Sequence, residues 1–371
     1  MSQPYVRLPG RRQFVFAAGA AAIGTLPLAR IAHACSQPRA VRLGVILPRS
    51  TRYPELAREF LAGFEAFAAS DGGRGRLHVI PLACSPDGVQ GAMAAAIRAA
   101  RCESVDVVAG IASRDLAACM APALEAHAVP FVACDLGADF VRPRRDSALL
   151  VRNSLGYWQA NYAMGRWSAA RLGRRAVIAA DFLESGYDIV YAFRRGFEAA
   201  GGEVAAVART GLPNGTASFS EVASAVHSTA PDFVYAFYSG RRAAAFLRDY
   251  EARGLARTTP LAGGAMLTEH DPGAGFDGIF TAASWAPAAQ GVFASLGHEA
   301  ARRVAAGLDA PGAGAAADTP VPLYVRRLTH ATAGLADVVV DHQPAIELAP
   351  GTHRALRAMV KSGWTNAYLT A

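Results

Sequence analysis

The chain has 371 residues, of which 52% are hydrophobic and 18% charged, and its formal net charge is +7. This composition excludes an intrinsically disordered, fibrous or coiled-coil protein. A single hydrophobic core stops growing at roughly 250 to 300 residues, so the length predicts two α/β domains. A basic chain can bind nucleic acid or an anionic membrane, and the position of the charges decides whether such a partner is expected.

Residues 1–34 have the pattern of a cleavable export signal. They contain four arginines, no acidic residue, a largely apolar stretch over Phe14–Ala29 and a final Ala-His-Ala. About 16 apolar residues are too few to span a bilayer of ~30 Å comfortably, which favours a cleaved signal over a permanent anchor. The pair Arg11-Arg12 resembles a twin-arginine signal and predicts a periplasmic protein.

Without this segment, 33 Lys and Arg residues face 30 Asp and Glu residues, and the net charge falls to +3. Lys361 is the only lysine, so the excess of arginine reflects overall composition more than selection for phosphate contacts. We therefore expect no nucleic-acid partner.

Five cysteines follow the predicted signal, and an odd number cannot all pair within one chain. They are Cys35, Cys84, Cys102, Cys119 and Cys134. Cys35 would be the first mature residue, so acylation of its thiol, and membrane contact through that lipid, stays open beside simple cleavage. The other four are either buried thiols or disulfide partners, and none has the Cys-x-x-Cys spacing of a redox or zinc site.

From residue 41 onwards, short apolar runs alternate with amphipathic stretches. The predicted strands are Val41–Leu47, His78–Ala83, Val105–Ala109 and Val129–Ala133, and the predicted helices are Pro54–Ser70, Val89–Ala100 and Leu116–His127. This β-α order predicts a parallel sheet with helices on both faces.

The same order restarts after the Arg-rich stretch Arg142–Asp146. The predicted strands are Ala176–Ala180, Val204–Ala208, Phe233–Phe237, Pro260–Ala262 and Ile279–Ala282, and the helices are Trp158–Leu172, Ile189–Ala200, Phe219–Thr229, Ala243–Arg253 and Leu296–Leu308. The sequence thus predicts two doubly wound parallel-sheet lobes. We expect residues 40–150 plus roughly 286–345 in the first lobe, and residues 151–285 plus a possible C-terminal segment in the second.

Ligands of open parallel sheets bind beyond the carboxyl ends of the strands. The segments at these positions are rich in hydroxyl groups, glycine and aromatic residues, which suits a cleft for a small polar molecule. They are Pro48–Tyr53, Cys84–Asp87, Ile111–Arg114, Cys134–Gly137, Asp181–Asp188, Tyr238–Arg241 and Gly263–Thr268.

Five segments carry a family resemblance through their order and spacing. They are Leu43–Ser50, Asp106–Gly110, Gly186–Asp188, Pro231–Tyr235 and Pro260–Gly264. Together they resemble the type I periplasmic solute-binding proteins of ABC importers, the group of the leucine/isoleucine/valine-binding proteins. The resemblance implies a hinged two-lobed clamp that captures a small organic molecule and hands it to the permease subunits of an importer, without a cofactor or catalysis.

By motif position, the resemblance implies that Ser113 and the Cys134-Asp135 segment hold a ligand carboxylate and that the second lobe supplies an aromatic residue. Loop arginines would add bidentate contacts, because a buried carboxylate needs several donors. The candidate ligand-binding residues are Arg49, Tyr53, Ser113, Arg114, Cys134, Asp135, Tyr187, Tyr238, Ser239, Gly264 and Ala265.

The last ligand loop departs from the family pattern. Amino-acid binders tend to carry an acid there, whereas this chain has Gly264-Ala265-Met266, so an ammonium partner is missing or displaced to Glu269 or Asp188. This favours carboxylates, amides or other solutes without an ammonium group over α-amino acids.

Two other functions stay open from the sequence. A ligand-sensing protein for a signalling partner would use the same cleft, and an enzyme could use Cys134 as a nucleophile beside Asp135. The G-x-G-x-x-G match over Gly273–Gly278 precedes a strand and so predicts a turn rather than a dinucleotide site. The histidines are too scattered for a metal site.

Overall fold

The computed structural model describes residues 40–47, 50, 53–83, 88–102, 104–112, 114–139, 147, 149–182, 184–211, 218–269, 278–285, 291–309, 321–331 and 334–358. The predicted export signal, Cys35, Arg49, Cys84, Ser113 and the 273–277 part of the glycine motif lie outside these residues. Arg114 is described as the first residue of a helix, without its side chain.

The first sheet has five parallel strands in the order β2-β1-β3-β4-β5. The strands are β1 (Val41–Leu47), β2 (Leu77–Ala83), β3 (Val107–Ile111), β4 (Phe131–Asp135) and β5 (Leu150–Ser154). Helices α1 (Leu56–Ala69), α2 (Gly88–Cys102) and α3 (Arg114–Glu125) connect them. Every residue of β3 is buried, as expected for a parallel strand covered on both faces.

The second sheet has seven strands in the order β12-β11-β10-β9-β8-β6-β7. The strands are β6 (Arg175–Asp181), β7 (Glu203–Thr210), β8 (Phe233–Phe237), β9 (Leu261–Gly264), β10 (Ile279–Ala283), β11 (Leu323–Ala331) and β12 (Gly334–Gln343). The helices of the second half are α4 (Tyr157–Arg171), α5 (Asp188–Ala199), α6 (Ser220–Thr229), α7 (Gly240–Ala252), α8 (Gly291–Asp309) and α9 (Thr352–Ala358). β6 to β10 pair in parallel, whereas β11 and β12 form an antiparallel hairpin on the edge of β10.

Aromatic stacking fixes the core between the second sheet and its helices. The ring of Phe193 on α5 stacks on Tyr235 of β8 with centroids 3.6 Å apart. The Tyr235 hydroxyl donates to Asn161 Oδ1 on α4 at 2.8 Å, so the one polar group of this buried ring is satisfied. This contact ties α4 and α5 to the same face of the sheet.

The strand pairing differs from the expected lobe boundaries in two places. β5 extends the first sheet to Ser154, four residues past the expected boundary at 150. Helix α8 packs on α1, with the His298 and Phe67 rings 5.3 Å apart. The hairpin Leu323–Gln343, expected in the first lobe, belongs to the second sheet instead, because its antiparallel pairing covers the open edge of β10 and buries Leu323 and Val325.

The chain passes between the lobes at three neighbouring points: after β5, after β10 and before β11. The Ser284 hydroxyl donates to the Leu155 carbonyl, which joins the first two. Gly156, after β5, has a φ of 68°, and a Cβ there would lie 3.0 Å from the side chain of Val321. The segment before β11 therefore lies against the segment after β5. The predicted fold class is confirmed: two doubly wound lobes, joined here by a three-segment hinge. No helix within the described ranges has the length and apolar character needed to cross a membrane.

Candidate functional site

The carboxyl ends of strands from both sheets face the region beside the hinge, where the helix α4 begins. Four side chains define the candidate site: Tyr53 follows β1, Tyr157 begins α4, Glu184 follows β6 and Ser239 follows β8. Parallel strands bring these loops together although they are far apart in sequence.

Tyr157 lies at the centre of this region. Its hydroxyl accepts a long hydrogen bond of 3.5 Å from the Met266 backbone N–H, and its ring lies 6.2 Å from Trp285. A Cβ added to Gly264 would lie 2.0 Å from the Tyr157 oxygen, so the phenol occupies the space that a side chain at 264 would need. Burial, and after it the negative charge of Glu184, raises the pKa of Tyr157 well above its usual value, so the phenol stays protonated.

Glu184 is a half-buried carboxylate supplied by the second lobe. The hydroxyl of Ser239 donates a hydrogen bond to it, and the backbone N–H of Tyr187 donates to the Glu184 carbonyl at 3.1 Å. Ser239 is the N-cap residue of α7, yet its side chain does not cap that helix. Its hydroxyl proton is used to hold Glu184 instead.

Tyr53 supplies the first-lobe side of the site. It is buried, its ring meets Phe293 edge-on at 5.3 Å, and its backbone N–H donates to Ser50 Oγ at 3.1 Å. Tyr53 also contributes to the raised pKa of Tyr157. The Tyr53 phenol is therefore close enough to Tyr157 to affect its pKa.

Asp135 ends β4 at the rim of the first sheet. Its carboxylate accepts the Gly137 N–H at 2.5 Å, and the Ser154 hydroxyl is a second donor. Burial raises the pKa of Asp135 to about 6 despite these donors, and the neighbouring Asp139 adds to the rise. The bond from Gly137 closes the turn that follows β4.

Two predicted ligand residues lie in cores. Cys134 is fully buried, with Asn153 Nδ2 3.7 Å from its Sγ and 3.2 Å from the Leu296 carbonyl oxygen, and burial raises the pKa of the thiol to about 12. Tyr238 bonds Thr210 Oγ1 at 2.8 Å and stacks on Phe246 at 4.2 Å. Their positions do not favour ligand contact, and a buried neutral thiol lacks the reactivity of a nucleophile.

The remaining candidates divide by position. Tyr187 is buried at the start of α5, beside the Glu184 loop, and Ala265 is buried next to Gly264.

Cys102 and Cys119 are exposed free thiols, and Cys134 is free as well. Within the described part of the chain, no group of three His, Cys, Asp or Glu residues is placed to hold a metal ion.

Two of the four site residues, Tyr157 and Glu184, were not singled out from the sequence, and neither was Trp285, whose ring lies beside Tyr157. Glu184 lies in the loop Asp181–Asp188, which follows a predicted strand. Its position in the chain could therefore have identified it as a candidate. Tyr157 had no such signal, because it follows a short strand, β5, that the sequence pattern did not reveal.

A family model described as periplasmic binding protein matches residues 40–322. The curated relative Leu/Ile/Val-binding protein homolog 6 of Brucella melitensis is 25% identical over 238 residues, which are 63% of this chain and 60% of the relative. The chain thus matches less than two thirds of that relative's length.

Two solved structures share the fold. A solute-binding protein of an ABC transporter from R. palustris, in complex with benzoate, has a TM-score of 0.61 and 23% identity over 81% of this chain and 96% of its own. A leucine-binding protein from Thermotoga maritima has a TM-score of 0.57 and 19% identity over 81% and 98%. The resemblance seen in the sequence is confirmed at the level of the family model, and the chain belongs to the periplasmic binding protein family.

Proposed function

We propose that the protein binds a small organic carboxylate between its two lobes and delivers it to the permease subunits of an ABC importer in the periplasm. The observation that carries this proposal is the convergence of Tyr53 from the first lobe, Tyr157 at the hinge and the Ser239–Glu184 pair from the second lobe. Phenol hydroxyls that stay protonated are donors for a carboxylate.

The ligand class follows from the last loop and from the structural relatives. The last ligand loop has Gly264-Ala265-Met266, whereas amino-acid binders tend to carry an acid in that loop, which favours a carboxylate or amide over an α-amino acid. The R. palustris relative is in complex with benzoate, and a second R. palustris solute-binding protein is in complex with 4-hydroxybenzoate. An aromatic carboxylate fits both considerations.

The mechanism is capture by hinge closure. An open form binds the solute on the first lobe, and the second lobe then closes over it and excludes water. Closure is a population shift, so its free energy comes from contacts that only the closed form makes. The twin-arginine-like signal would export the folded chain, and removal of that signal leaves either a soluble binding protein or one anchored through Cys35.

A thermal-shift screen of the mature chain against carboxylates, amides and amino acids tests the proposal. A ligand at 100 times its Kd adds about 2.7 kcal/mol to the free energy of unfolding. We expect a carboxylate to stabilise the protein, and Ser113→Ala and Tyr187→Ala each to weaken its binding without unfolding. Ser228→Ala, on the exposed surface of α6, is the matched control. If no compound stabilises the protein, the proposed function is wrong. If both variants bind normally, the roles that the sequence predicts for Ser113 and Tyr187 are wrong.

A further inference from the structure

Glu269 joins the second lobe to a helix of the first lobe. It lies in the loop after β9, and its Oε2 accepts a hydrogen bond from the backbone N–H of Val292 at 3.3 Å. Val292 is in the first turn of α8, and the leading N–H groups of a helix have no partner within that helix. Helix α8 is held on the first lobe, where the Asn153 side chain of β5 donates to the Leu296 carbonyl at 3.2 Å. An acid of one lobe therefore caps a helix of the other.

The same arrangement occurs in the opposite direction at α5. The carboxylate of Asp139 in the first lobe accepts the backbone N–H of Asp188, the first residue of α5, at 3.2 Å. The next N–H of this helix, from Ile189, donates to the Ala138 carbonyl at 3.1 Å. Each lobe thus supplies a carboxylate to the N-terminus of a helix in the other lobe.

The charges at the start of α8 favour this contact. A Cβ on Gly291, the first residue of α8, would lie 3.6 Å from Glu269 Oε2 and 3.3 Å from Glu59 Oε2. Glu59 belongs to α1 of the first lobe, so carboxylates of both lobes approach the same helix end. Two like charges close together repel each other, whereas the partial positive charge of a helix N-terminus attracts both. The helix end therefore offsets a repulsion that would otherwise oppose contact between the lobes.

We propose that Glu269 and Asp139 form a reciprocal latch that sets the fraction of the protein in the closed form, with or without a ligand. Separation of the lobes breaks both caps at once, because each cap joins a loop of one lobe to a helix of the other. The two caps are therefore coupled through closure, and the loss of one weakens the other. This assignment goes beyond the proposed function. It gives Glu269, which the sequence offers as a displaced ammonium partner, a role in closure instead.

Hydrogen exchange of the ligand-free mature chain, measured by mass spectrometry, tests the coupling. Glu269→Ala removes the acceptor of the Val292 N–H and shifts the protein towards the open form. We expect exchange to become about two- to thirtyfold faster at Asp188 and Ile189, in the other lobe, and at least as much faster at Val292. Asp139→Ala should in turn accelerate exchange at Val292. Glu269→Gln, a milder change that keeps an acceptor oxygen, should accelerate exchange at both helices by a smaller factor.

Asp106→Ala is the matched control, because the Asp106 carboxylate accepts the Arg42 N–H at 2.9 Å within the first lobe alone. It should accelerate exchange at Arg42 and leave exchange at the start of α5 and α8 unchanged, and thermal melts check that each variant folds. If Glu269→Ala changes exchange at α8 only, or at neither helix, the two caps are independent and the latch is wrong. These measurements need no ligand, so the proposed function can fail while the latch holds, and the latch can fail while a carboxylate binds.

Discussion

The carboxylate of Asp139 accepts a hydrogen bond from the backbone N–H of Asp188 at 3.2 Å. Asp139 lies in the first lobe, two residues after the predicted ligand loop Cys134–Gly137, and Asp188 is the first residue of α5 in the second lobe. The next N–H of that helix, from Ile189, donates to the Ala138 carbonyl at 3.1 Å. A loop of one lobe therefore caps the first turn of a helix in the other.

Asp139→Ala should weaken ligand binding because it removes this interlobe bond. The loss of such a cap costs about 0.5–2 kcal/mol, which corresponds to a Kd about two- to thirtyfold higher if the closed form loses that stabilisation. Calorimetry measures the affinity, and small-angle scattering should show a larger radius of gyration for the liganded variant.

Asp232→Ala is the matched control for this prediction. The Asp232 carboxylate accepts two backbone N–H groups, from Arg174 and Arg175, within the second lobe alone. It should lower the melting temperature without changing the radius of gyration. If Asp139→Ala and Asp232→Ala behave alike, the Asp139 bond does not govern closure.

Much of the fold was predictable because parallel strands are uniform apolar runs. Val41–Leu47 and Phe233–Phe237 were predicted with the bounds that the structure shows. The hairpin Leu323–Gln343 was not, since its outer strand lies on the sheet edge and leaves Val338, Val339 and Val340 more than a third exposed. Its register depends on β10, which lies far away in the sequence.

The site was predictable by loop but not by side chain. Cys134 and Asp135 are neighbours in β4, and Tyr238 and Ser239 are neighbours after β8, yet in each pair one residue packs in a core and the other lies at the rim or in the cleft. Successive residues of a strand face opposite sides, so an error of one residue reverses the assignment. Strand-end position selects the loop, and only the structure selects the residue.

Gly264→Ala should disturb the site through a steric clash alone. Gly264 has a φ of −73°, which any residue adopts, but the new Cβ would lie 2.0 Å from the Tyr157 oxygen. We expect the free energy of unfolding to fall by about 1–3 kcal/mol and ligand affinity to fall with it.

Two comparisons test the cause of that loss. Tyr157→Phe removes the clashing oxygen, so the double variant should be more stable than the sum of the two single effects predicts. Gly72→Ala, whose new Cβ would meet Phe67 at an ordinary 3.6 Å, should be nearly neutral. Strict additivity in the double variant would contradict the proposed contact.

Cys134 should be unreactive in the native protein. Its thiol is buried with a pKa raised to about 12, whereas Cys102 and Cys119 are exposed. Iodoacetamide labelling at pH 8 followed by peptide mass spectrometry should find label on Cys102 and Cys119, and on Cys134 only after unfolding in urea. Labelling of Cys134 in the native state, suppressed by a ligand, would return this thiol to the cleft.

Asp135 should make stability depend on pH between about 4 and 6. Burial raises its pKa from 3.8 to about 6, so the folded state binds the proton more tightly than the unfolded state does. The resulting stabilisation is full below pH 3.8 and is lost as the pH rises through 6, by up to about 3 kcal/mol. Urea unfolding at pH 4 and pH 7.5 should show that the free energy of unfolding of Asp135→Asn rises relative to that of the wild-type chain over this interval. Asp71 is the control position, because its side chain is 100% exposed, and Asp71→Asn should show no such relative rise. An equal stability difference between wild type and Asp135→Asn at both pH values would contradict the burial of the Asp135 carboxyl.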